Sequence, residues 1–421
     1  MASSAGIAVV GGSLGGLRAA EQLRAAGWEG AITVYGAEPH LPYNRPPLSK
    51  EVLAGEAPVS ATALRRRPSV ADVAWRLGTA VGSADLSART LTLADGSVHA
   101  YEGLVAATGV RPRRLPLTGG PPRHVVRTLE DAQALRAELG DDVRVLIIGS
   151  GFIGCEVAAT ARGAGCEVTV VAPEAEPMQA ALGEEAGRVL RARHEARGVR
   201  FRMGRLVAEF ADAYAVLDDG SECAADVVVE AVGSLPNVEW LGANAGLDLT
   251  DGILCDAQLR IGGLAHAVAV GDVARFPNPR YGAVARRVEH WSMPTDCAKH
   301  AARVLVAGLR GGPPPGASRP FAPLPSFWSD QFDVRVQSFG LPGAGDEVRL
   351  LRGEGDVVYG YYQGERLVGV VALGGARAAA LAASYRPELM TLPQPQPQSP
   401  GPTEAALSSP TDTPSSSPSG T

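Results

Sequence analysis

Two glycine-rich turns carry the clearest chemical signal in this chain of 421 residues. The first turn covers residues 11–16 and follows the apolar residues 7–10; the second covers residues 149–154 and follows the apolar residues 143–148. In a strand, glycine turn and helix of this kind, backbone amides at the helix N-terminus approach a pyrophosphate and favour its negative charge. We therefore predict that the chain binds two dinucleotides.

Each turn is followed by the remaining parts of a strand–helix–strand unit. Helix-like segments cover residues 17–26 and 155–164, and further apolar runs cover residues 31–35 and 167–171. Two copies in the same arrangement indicate dinucleotide binding more strongly than one. Because Ser13 replaces the middle glycine of the first copy, a plain glycine-rich loop remains the alternative there.

The composition is that of a globular protein with room for two or three domains. Hydrophobic residues make up 45% of the chain and charged residues 20%. No run of about twenty apolar residues indicates a membrane span, and no basic segment precedes an apolar stretch at the start. We therefore expect a cytoplasmic protein that does not associate with membranes. The formal net charge of -6 disfavours nucleic-acid binding.

The cysteines are isolated from one another in the sequence. They form no Cys-x-x-Cys pair and no cluster with histidine at the spacing of metal ligands. We expect no metal site, no bound iron–sulfur cluster and no dithiol chemistry in this chain. The five positions are Cys155, Cys166, Cys223, Cys255 and Cys297.

The order of the elements indicates that one dinucleotide unit is inserted within another. A buried strand at residues 104–109 ends in a glycine turn, and the proline-containing residues 111–116 lead into the second unit. The first unit resumes at residues 267–272, where Asp272 follows the end of a strand. There it could accept hydrogen bonds from a polyol such as a flavin's ribityl chain; a helix-capping aspartate is the alternative.

The predicted fold class is α/β, with two Rossmann-like dinucleotide-binding domains and an α+β C-terminal domain. The prolines within residues 40–50 indicate a stiff functional loop. In the second domain we predict a helix at residues 184–197 and a hairpin at residues 207–216. The domains are placed at residues 1–112 with 242–320, residues 113–241 and residues 321–390, followed by a Pro- and Ser-rich, disordered tail at residues 391–421.

Eight short motifs occur along the chain in a fixed order. They are residues 11–21 (GGSLGGLRAAE), 45–50 (RPPLSK), 107–109 (ATG), 127–132 (RTLEDA), 149–158 (GSGFIGCEVA), 271–276 (GDVARF), 288–291 (VEHW) and 327–331 (FWSDQ). This series resembles the oxygenase-coupled NADH-dependent ferredoxin reductases, which are FAD-dependent pyridine nucleotide oxidoreductases with a glutathione-reductase-like fold. The resemblance covers roughly residues 5–385, and its last motif separates this branch from the wider class.

The resemblance implies one FAD per chain, NADH as electron donor and a small iron–sulfur ferredoxin as acceptor. The ferredoxin would supply a haem monooxygenase or a Rieske-type oxygenase. A flavin can convert a two-electron hydride into two one-electron steps, which a nicotinamide cannot do. The first domain would bind FAD and the inserted domain NADH, in a monomer or homodimer.

The resemblance also implies roles for individual residues. Lys50 would lie beside the flavin with Glu156 as its carboxylate partner, and Trp328 would lie near the ring where the ferredoxin docks. The structural alternatives are a surface lysine, a helix glutamate and a core tryptophan. The positions implied for FAD are Gly11, Ser13, Leu14, Gly15, Gly16, Ala37, Glu38, Arg45, Lys50, Val81, Ala107, Thr108, Gly109, Arg127, Gly271, Asp272, Glu289, His290 and Trp291. Those implied for NADH are Gly149, Gly151, Ile153, Gly154 and Glu174.

The chain departs from the family pattern where the family carries acidic residues after the second strand of each unit. Ala37 stands at this position in the first unit, which leaves Glu38 for the adenosine ribose of FAD. Ala172 stands there in the second unit, with Glu174 and Glu176 close by. No Arg or Lys lies between residues 171 and 179, so a 2′-phosphate would meet carboxylates, and NADH is favoured over NADPH.

Short basic clusters at residues 65–67 and 286–287 could meet an acidic ferredoxin, but plain solvated surface is the alternative and neither is assigned. Other functions also remain open. One is an NADH oxidase or nitrite-reductase-like flavoprotein, although the thiol-dependent members need a cysteine that is missing after Lys50. Another is a flavin-binding signalling protein that resembles the apoptosis-inducing flavoproteins.

Overall fold

The first sheet consists of parallel strands, most of which are apolar runs recognisable in the sequence. The computed structural model describes residues 5–313, 319–353 and 355–392. The central strands are buried on both faces, as near-continuous apolar sequences in a parallel sheet require. From edge to edge the strands are Ala267–Ala269, Gly103–Ala106, Ile7–Val10, Ile32–Tyr35 and Ala74–Arg76.

The first turn leads from the strand Ile7–Val10 into helix Leu14–Ala25, which we call the first-turn helix. This helix packs against helix Met293–Leu309, and both contribute buried residues to the core of the first sheet. The first-turn helix begins at Leu14 rather than at the predicted residue 17. The reason is that Gly11, with a φ of 121°, completes the change of direction before the helix begins.

A second parallel sheet is inserted into the chain of the first unit, as predicted. Its strands, from edge to edge, are Arg200–Met203, Glu167–Ala172, Arg144–Ile148, Val227–Glu230 and Arg123–His124. The chain leaves the first unit through Val110–Pro112 and returns through Ser234–Pro236. These two strands pair antiparallel, so the exit and the return lie side by side.

The helices of the second unit include helix Leu129–Glu138, which begins with a capping box. The second turn leads into helix Phe152–Gly163, the second-turn helix, which begins earlier than the predicted residue 155. The helix predicted at residues 184–197 covers Gln179–Glu195 and is called the long helix. It contains a break at Gly183, whose φ of 77° and ψ of 171° suit a residue without Cβ.

An antiparallel sheet forms the C-terminal unit, and helices Ala376–Ser384 and Arg386–Met390 follow it. In its first strand Phe327, Ser329 and Gln331 are buried, whereas the residues between them are half-buried. Side chains alternate between the two faces of a strand, which places these three on one face. From edge to edge the strands are Ser326–Gln331, Val334–Gly340, Arg366–Gly374, Val357–Gln363 and Glu347–Arg352.

Shorter elements connect these sheets. The hairpin predicted at residues 207–216 is present as the first two strands of a small antiparallel sheet. The small sheets consist of Val81–Asp85, Thr90–Leu93 and Val98–Ala100; Val207–Ala211, Tyr214–Leu217 and Glu222–Ala224; and Ile253–Leu254, Ala274–Pro277 and Ala285–Arg287. The short helical turns are Pro46–Ser49, Glu51–Ala54, Val59–Thr62, Pro68–Val70, Glu239–Leu241, Gly271–Val273 and Pro342–Ala344.

Two apolar clusters bring the three units together around the proline-containing loop. Leu48 of that loop and Val52 just after it pack in one cluster with Val157 of the second-turn helix. Cys155 of the same helix packs in another cluster with Phe327 of the C-terminal sheet. Residues on both sides of Lys50 are therefore anchored against the second unit, and the second-turn helix is anchored against the third.

The tail that the sequence predicts to be disordered covers residues 391–421, of which residues 393–421 lie outside the described part of the chain. Among the helices that the structure describes, none has both the length and the apolar character needed to cross a bilayer.

Candidate active site

In the first turn, the absence of side chains on the glycines lets the strand and the helix approach each other closely. A Cβ atom at Gly11 would lie 2.1 Å from the carbonyl oxygen of Ala107, and one at Gly16 would lie 1.9 Å from that of Gly11. The Gly11 amide donates to the Tyr35 carbonyl at 2.8 Å. Ser13 is the N-cap residue of the first-turn helix, but its hydroxyl makes no capping hydrogen bond. The first amides of this helix are therefore left for a ligand.

The second turn repeats the same geometry. A Cβ atom at Gly149 would lie 2.3 Å from the Ala231 carbonyl oxygen, and one at Gly154 would lie 2.1 Å from that of Gly149. The Gly149 amide donates to the Val171 carbonyl at 2.8 Å, as Gly11 does in the first unit. Gly151 differs, since it is exposed and a Cβ placed there would meet no atom within 4 Å.

A cavity of about 1400 Å³ lies between the units. It exceeds the roughly 300–1,000 Å³ usual for small-molecule sites, so it has room for a dinucleotide and part of a second ligand. The residues implied by the family resemblance that line it are Gly11, Ser13, Leu14, Gly15, Ala37, Glu38, Arg45, Lys50, Val81, Ala107, Thr108, Gly109, Arg127, Ile153, Glu156, Gly271, Asp272, Glu289, His290, Trp291 and Trp328.

Five of the positions implied by the family resemblance do not line the cavity. Gly16 is buried beneath the turn, where its missing side chain permits the close approach of strand and helix. The other four belong to the second unit, outside the wall of this cavity: Gly149, Gly151, Gly154 and Glu174. Ile153 is the implied NADH residue that reaches the cavity, and its side chain is exposed.

Glu38 is already engaged at the end of the first unit's second strand. Arg45 donates to one carboxylate oxygen at 2.5 Å, and the hydroxyl of Tyr43 donates to the other. Arg45 also donates to the backbone carbonyl of Arg127 at 2.5 Å. Burial raises the pKa of Tyr43, so its hydroxyl keeps its proton. Each carboxylate oxygen of Glu38 retains a further lone pair for a ribose.

Asp272 and Arg127 face each other across the cavity wall, with Oδ2 and Nη2 3.6 Å apart. Asp272 caps no described helix, because the turn Gly271–Val273 has Val270 at its N-cap position and helix Met293–Leu309 has Ser292 there. Burial raises the pKa of Asp272, while Arg127 lowers it. The pair therefore gives the cavity both a hydrogen-bond acceptor and a cationic donor.

Lys50 and Glu156, which are distant in the sequence, meet at the cavity wall. The Lys50 ammonium donates to Glu156 Oε2 at 2.8 Å, and the two side chains are 12% and 6% exposed. Ser49 donates to the same oxygen at 2.5 Å, and Ser329 donates to Oε1 at 2.7 Å. Three donors therefore surround one carboxylate. The ammonium is thus held in the wall by a partner that two serine hydroxyls also hold.

Two tryptophans stand together at the edge of the cavity. The rings of Trp291 and Trp328 meet edge to face with centroids 5.4 Å apart, and Trp291 is 38% exposed. The Trp291 indole donates to Asn44 Oδ1 at 2.8 Å. Beside them, burial lowers the pKa of His290 to about 4, so this imidazole is neutral at ordinary pH.

The second unit lacks an acid at Ala172, and the backbone of Arg205 lies beside that position. The Arg205 amide donates to the Ala172 carbonyl at 3.0 Å, although the Arg205 guanidinium pairs with Asp219 at 2.6 Å. Glu174 is exposed, whereas Glu176 is buried. No motif or spacing pointed to Arg205, because it reaches Ala172 only through the pairing of neighbouring strands.

The residues present fit a large dinucleotide such as FAD. The cavity holds uncapped helix amides at Ser13 and two buried nitrogens, Arg45 Nε and His290 Nδ1, that have no partner within the described residues. Buried polar atoms are normally hydrogen-bonded, so these atoms point to a ligand. The residues that the family resemblance did not place at the site include Tyr43, Ser49 and Ser329. The last could have been found from its spacing of two residues from the buried Phe327.

Two parallel sheets with glycine turns, a shared cavity and an added antiparallel unit define a two-dinucleotide oxidoreductase. The chain belongs to the pyridine nucleotide-disulphide oxidoreductase family, whose characteristic sequence it matches over residues 5–296. Residues 326–385 match the reductase C-terminal family. The chain is therefore an oxidoreductase, and its family uses FAD and NADH.

Individual relatives support this membership. The chain is 38% identical to the anthranilate 1,2-dioxygenase system ferredoxin–NAD(+) reductase component of Burkholderia cepacia, covering 92% of this chain and 96% of the relative. It is 35% identical to putidaredoxin reductase of Pseudomonas putida, covering 86% and 87%. Among solved structures, the covalent putidaredoxin reductase–putidaredoxin complex superposes with a TM-score of 0.82 at 31% identity, over 91% of this chain and 93% of the other.

The family's name refers to a disulphide, but the described residues form none at this site. All five cysteines lie within the described residues, where they are buried and unpaired. Burial raises the pKa of Cys155, and it raises the pKa of Cys297 to about 12. These thiols therefore stay protonated, and thiolate chemistry is disfavoured.

Proposed function

We propose that this chain is the NADH-dependent ferredoxin reductase of an oxygenase system. In this role it takes electrons from NADH and passes them to a small iron–sulfur ferredoxin that supplies a haem monooxygenase or a Rieske-type oxygenase. The observation that carries the proposal is the Lys50–Glu156 ion pair in the wall of a cavity that the first turn lines. The relatives from Burkholderia cepacia and Pseudomonas putida are named as reductases of this kind, which supports the proposal.

Bound FAD would supply the conversion of a hydride into two single electrons. The chain's own contribution is electrostatic. The Lys50 ammonium would favour negative charge that develops beside it, and Glu156 holds this ammonium in place. The wall residues Phe152 and Ile153 bring the second-turn helix to the same cavity, so the nucleotide of the second unit can approach from that side.

We assign FAD to the first unit, at residues 1–112 and 242–320, and NADH to the inserted unit at residues 113–241. The first turn, Arg127 and Asp272 would hold FAD, and the second turn would hold the NADH pyrophosphate. Residues 321–390 would complete the site and contribute to the ferredoxin interface. The protein would act as a monomer or homodimer.

The tryptophan pair marks the side from which we propose that electrons leave. Trp328 lines the cavity and Trp291 continues from it to the surface. Arg286 is exposed on a strand shortly before Trp291, and its guanidinium donates to two backbone carbonyls. Arg287 is instead paired with the carboxylates of Asp251, at 2.9 Å, and Glu289. Arg286 is therefore our candidate for contact with an acidic ferredoxin.

The direct test is stopped-flow bleaching of the purified flavoprotein with NADH and, separately, with NADPH. A small ferredoxin and cytochrome c are then added. We expect fast bleaching by NADH and reduction of cytochrome c only when ferredoxin is present. No bleaching by either nucleotide would reject the proposal, turnover mainly to oxygen would favour an oxidase, and slow reduction with charge-transfer dimerisation would favour a signalling flavoprotein.

The docking assignment has its own test, Arg286→Glu compared with Arg65→Glu. We expect the first change to raise the KM for ferredoxin about tenfold at low salt, because a charge at the edge of an interface mainly affects association. Bleaching by NADH should not change in either variant. An equal or larger effect of Arg65→Glu on ferredoxin reduction would move the docking surface to the cluster at residues 65–67.

A further inference from the structure

A chain of buried hydrogen bonds leads from Glu156 into the C-terminal sheet. Ser329 donates to Glu156 Oε1 at 2.7 Å, and Gln331 Nε2 donates to the Ser329 hydroxyl oxygen at 2.9 Å. His194 Nε2 lies 2.8 Å from Gln331 Oε1. Ser329 and Gln331 are 0% exposed and His194 is 1% exposed. We call these three residues, with Glu156, the buried relay.

The donors of the buried relay all point the same way. Ionised Glu156 can only accept, so the Ser329 hydroxyl proton must lie toward it, and Ser329 must accept from the Gln331 amide. The Gln331 oxygen then faces His194, whose Nε2 must carry a proton. Burial lowers the pKa of His194, which agrees with a neutral ring. Every group in the relay therefore donates toward the Glu156 carboxylate.

Together with Lys50, the buried relay joins all three units. Lys50 belongs to the first unit, Glu156 and His194 to two helices of the second, and Ser329 and Gln331 to the third. Apolar side chains fill a core without the cost of burying polar atoms. Packing alone therefore does not account for a serine and a glutamine on a strand face that Phe327 shares.

We propose that Ser329 and Gln331 are positioning residues for the Lys50–Glu156 ion pair. Ser329 holds Oε1 of the carboxylate, which turns Oε2 toward Lys50, and Gln331 fixes the direction of the Ser329 proton. Without this donor, Oε1 loses its described partner and the carboxylate can rotate, so the ammonium is no longer held at the cavity wall. The inference rests on the proposed function, in which Lys50 lies beside the flavin.

The test compares Ser329→Ala with Ser338→Ala. Ser338 is a buried serine that pairs with Phe327 on the neighbouring strand, and its hydroxyl has no partner in the described structure. Both changes remove one buried oxygen from the same sheet, but only the first removes a donor to Glu156. Gln331→Met keeps the length of the side chain and removes the donor to Ser329 without adding a charge, and Ser329→Thr retains the hydroxyl.

Two quantities are measured on FAD-loaded protein, namely the flavin midpoint potential by chemical reduction and the limiting rate of bleaching by NADH. We expect Ser329→Ala and Gln331→Met to lower the reduction equilibrium constant about tenfold, or about 30 mV for a two-electron couple. The bleaching rate should fall about tenfold with an unchanged Kd for NADH. Ser329→Thr should restore both values, and Ser338→Ala should leave them unchanged.

A final comparison places Ser329→Ala in a Glu156→Gln background. If Ser329 acts through Glu156, Ser329→Ala should not alter the potential or the bleaching rate of a protein that already carries Glu156→Gln. Equal effects in both backgrounds, or identical behaviour of Ser329→Ala and Ser338→Ala, would overturn the inference. If NADH does not bleach the wild-type protein, the proposed function is rejected. The role of the buried relay can still be decided, because the flavin potential is measured without NADH. Should Ser329→Ala not fold, the contrast between Gln331→Met and Ser329→Thr decides the same question.

Discussion

The two glycine turns of this chain have nearly the same backbone but open onto different surroundings. In both, the first glycine amide donates to the neighbouring strand at 2.8 Å, and a Cβ at the last glycine would lie about 2 Å from the first glycine's carbonyl oxygen. The first turn lines a cavity of about 1400 Å³, whereas Gly151 of the second turn is exposed. The same anion-binding device thus suits a resident cofactor in one unit and an exchanging one in the other.

The largest effect is expected from an alanine at the first glycine of each turn. Gly11→Ala and Gly149→Ala each force a Cβ against a carbonyl oxygen at positive φ, at a cost of about 3 kcal/mol or more in the free energy of unfolding. Gly11→Ala should be purified without FAD, whereas Gly149→Ala should retain FAD but lose NADH binding. Urea unfolding and flavin absorbance measure both.

The control for this pair is Gly163→Ala. Gly163 ends the second-turn helix, and a Cβ there would meet no atom within 4 Å. Alanine favours helix, so stability should stay the same or rise by up to about 1 kcal/mol. Loss of FAD from Gly149→Ala as complete as from Gly11→Ala would contradict the division between resident and exchanging nucleotide.

The next largest effect is expected at Lys50, where the first and second units meet. Lys50→Met removes the ammonium from the cavity wall, and we expect bleaching by NADH to slow about 100-fold, as when one electrostatic stabiliser of a transition state is lost. FAD should remain bound. Lys299→Met is the matched control, because Lys299 is exposed and only loosely paired with Asp296 at 3.9 Å. A rate equal to that of the control would remove Lys50 from the reaction.

A smaller effect is expected where the second turn is open. Gly151→Asp places a carboxylate at the start of the second-turn helix, where it competes with the NADH pyrophosphate. We expect the KM for NADH to rise about tenfold, or about 1.4 kcal/mol, with FAD content unchanged.

Ser13→Gly restores the usual glycine of the first turn. It should alter FAD affinity by no more than about threefold, since the Ser13 hydroxyl caps no amide. Steady-state kinetics and FAD titration of the apoprotein distinguish the two sites.

The smallest effect is expected at Ala172 and Ala37, the two positions that lack an acid. Ala172→Glu supplies an acceptor for the NADH ribose, and we expect the KM for NADH to fall by up to about tenfold, the value of one hydrogen bond to a charged group. Ala37→Glu should change FAD affinity less, because Glu38 already stands beside it. Improved use of NADPH by Ala172→Glu would be the opposite of the expected result.

Much of the architecture could be predicted from short stretches of sequence. The strand at residues 7–10, the turn at residues 149–154 and the insertion of one unit in another follow from local apolar runs and glycines, because backbone conformation depends on neighbouring residues. The helix starts were predicted late, at residues 17 and 155. The glycine turns are shorter than their motifs, so the first helical turn lies inside the motif.

Within the site, the family resemblance named Lys50 and Glu156 as partners, and the structure brings them together. It assigned no role to Ser329 or Gln331, although both lie inside the last motif. Arg205 was missed in the same way, because its approach to Ala172 depends on strand pairing. The domain boundaries stay predictions, and so do the cofactor contacts of individual residues, some of which the proposed variants test.

The sequence by itself determined the local backbone, that is, where a glycine must replace a side chain and which strand faces are buried. The positive φ at Gly11 and the alternation that places Ser329 two residues from Phe327 need only neighbouring residues. Tertiary structure decided which distant groups meet, since a hydrogen bond between Ser329 and Glu156 exists only after the second and third units have packed together. Direction and distance between such groups depend on the whole core, which no local pattern encodes.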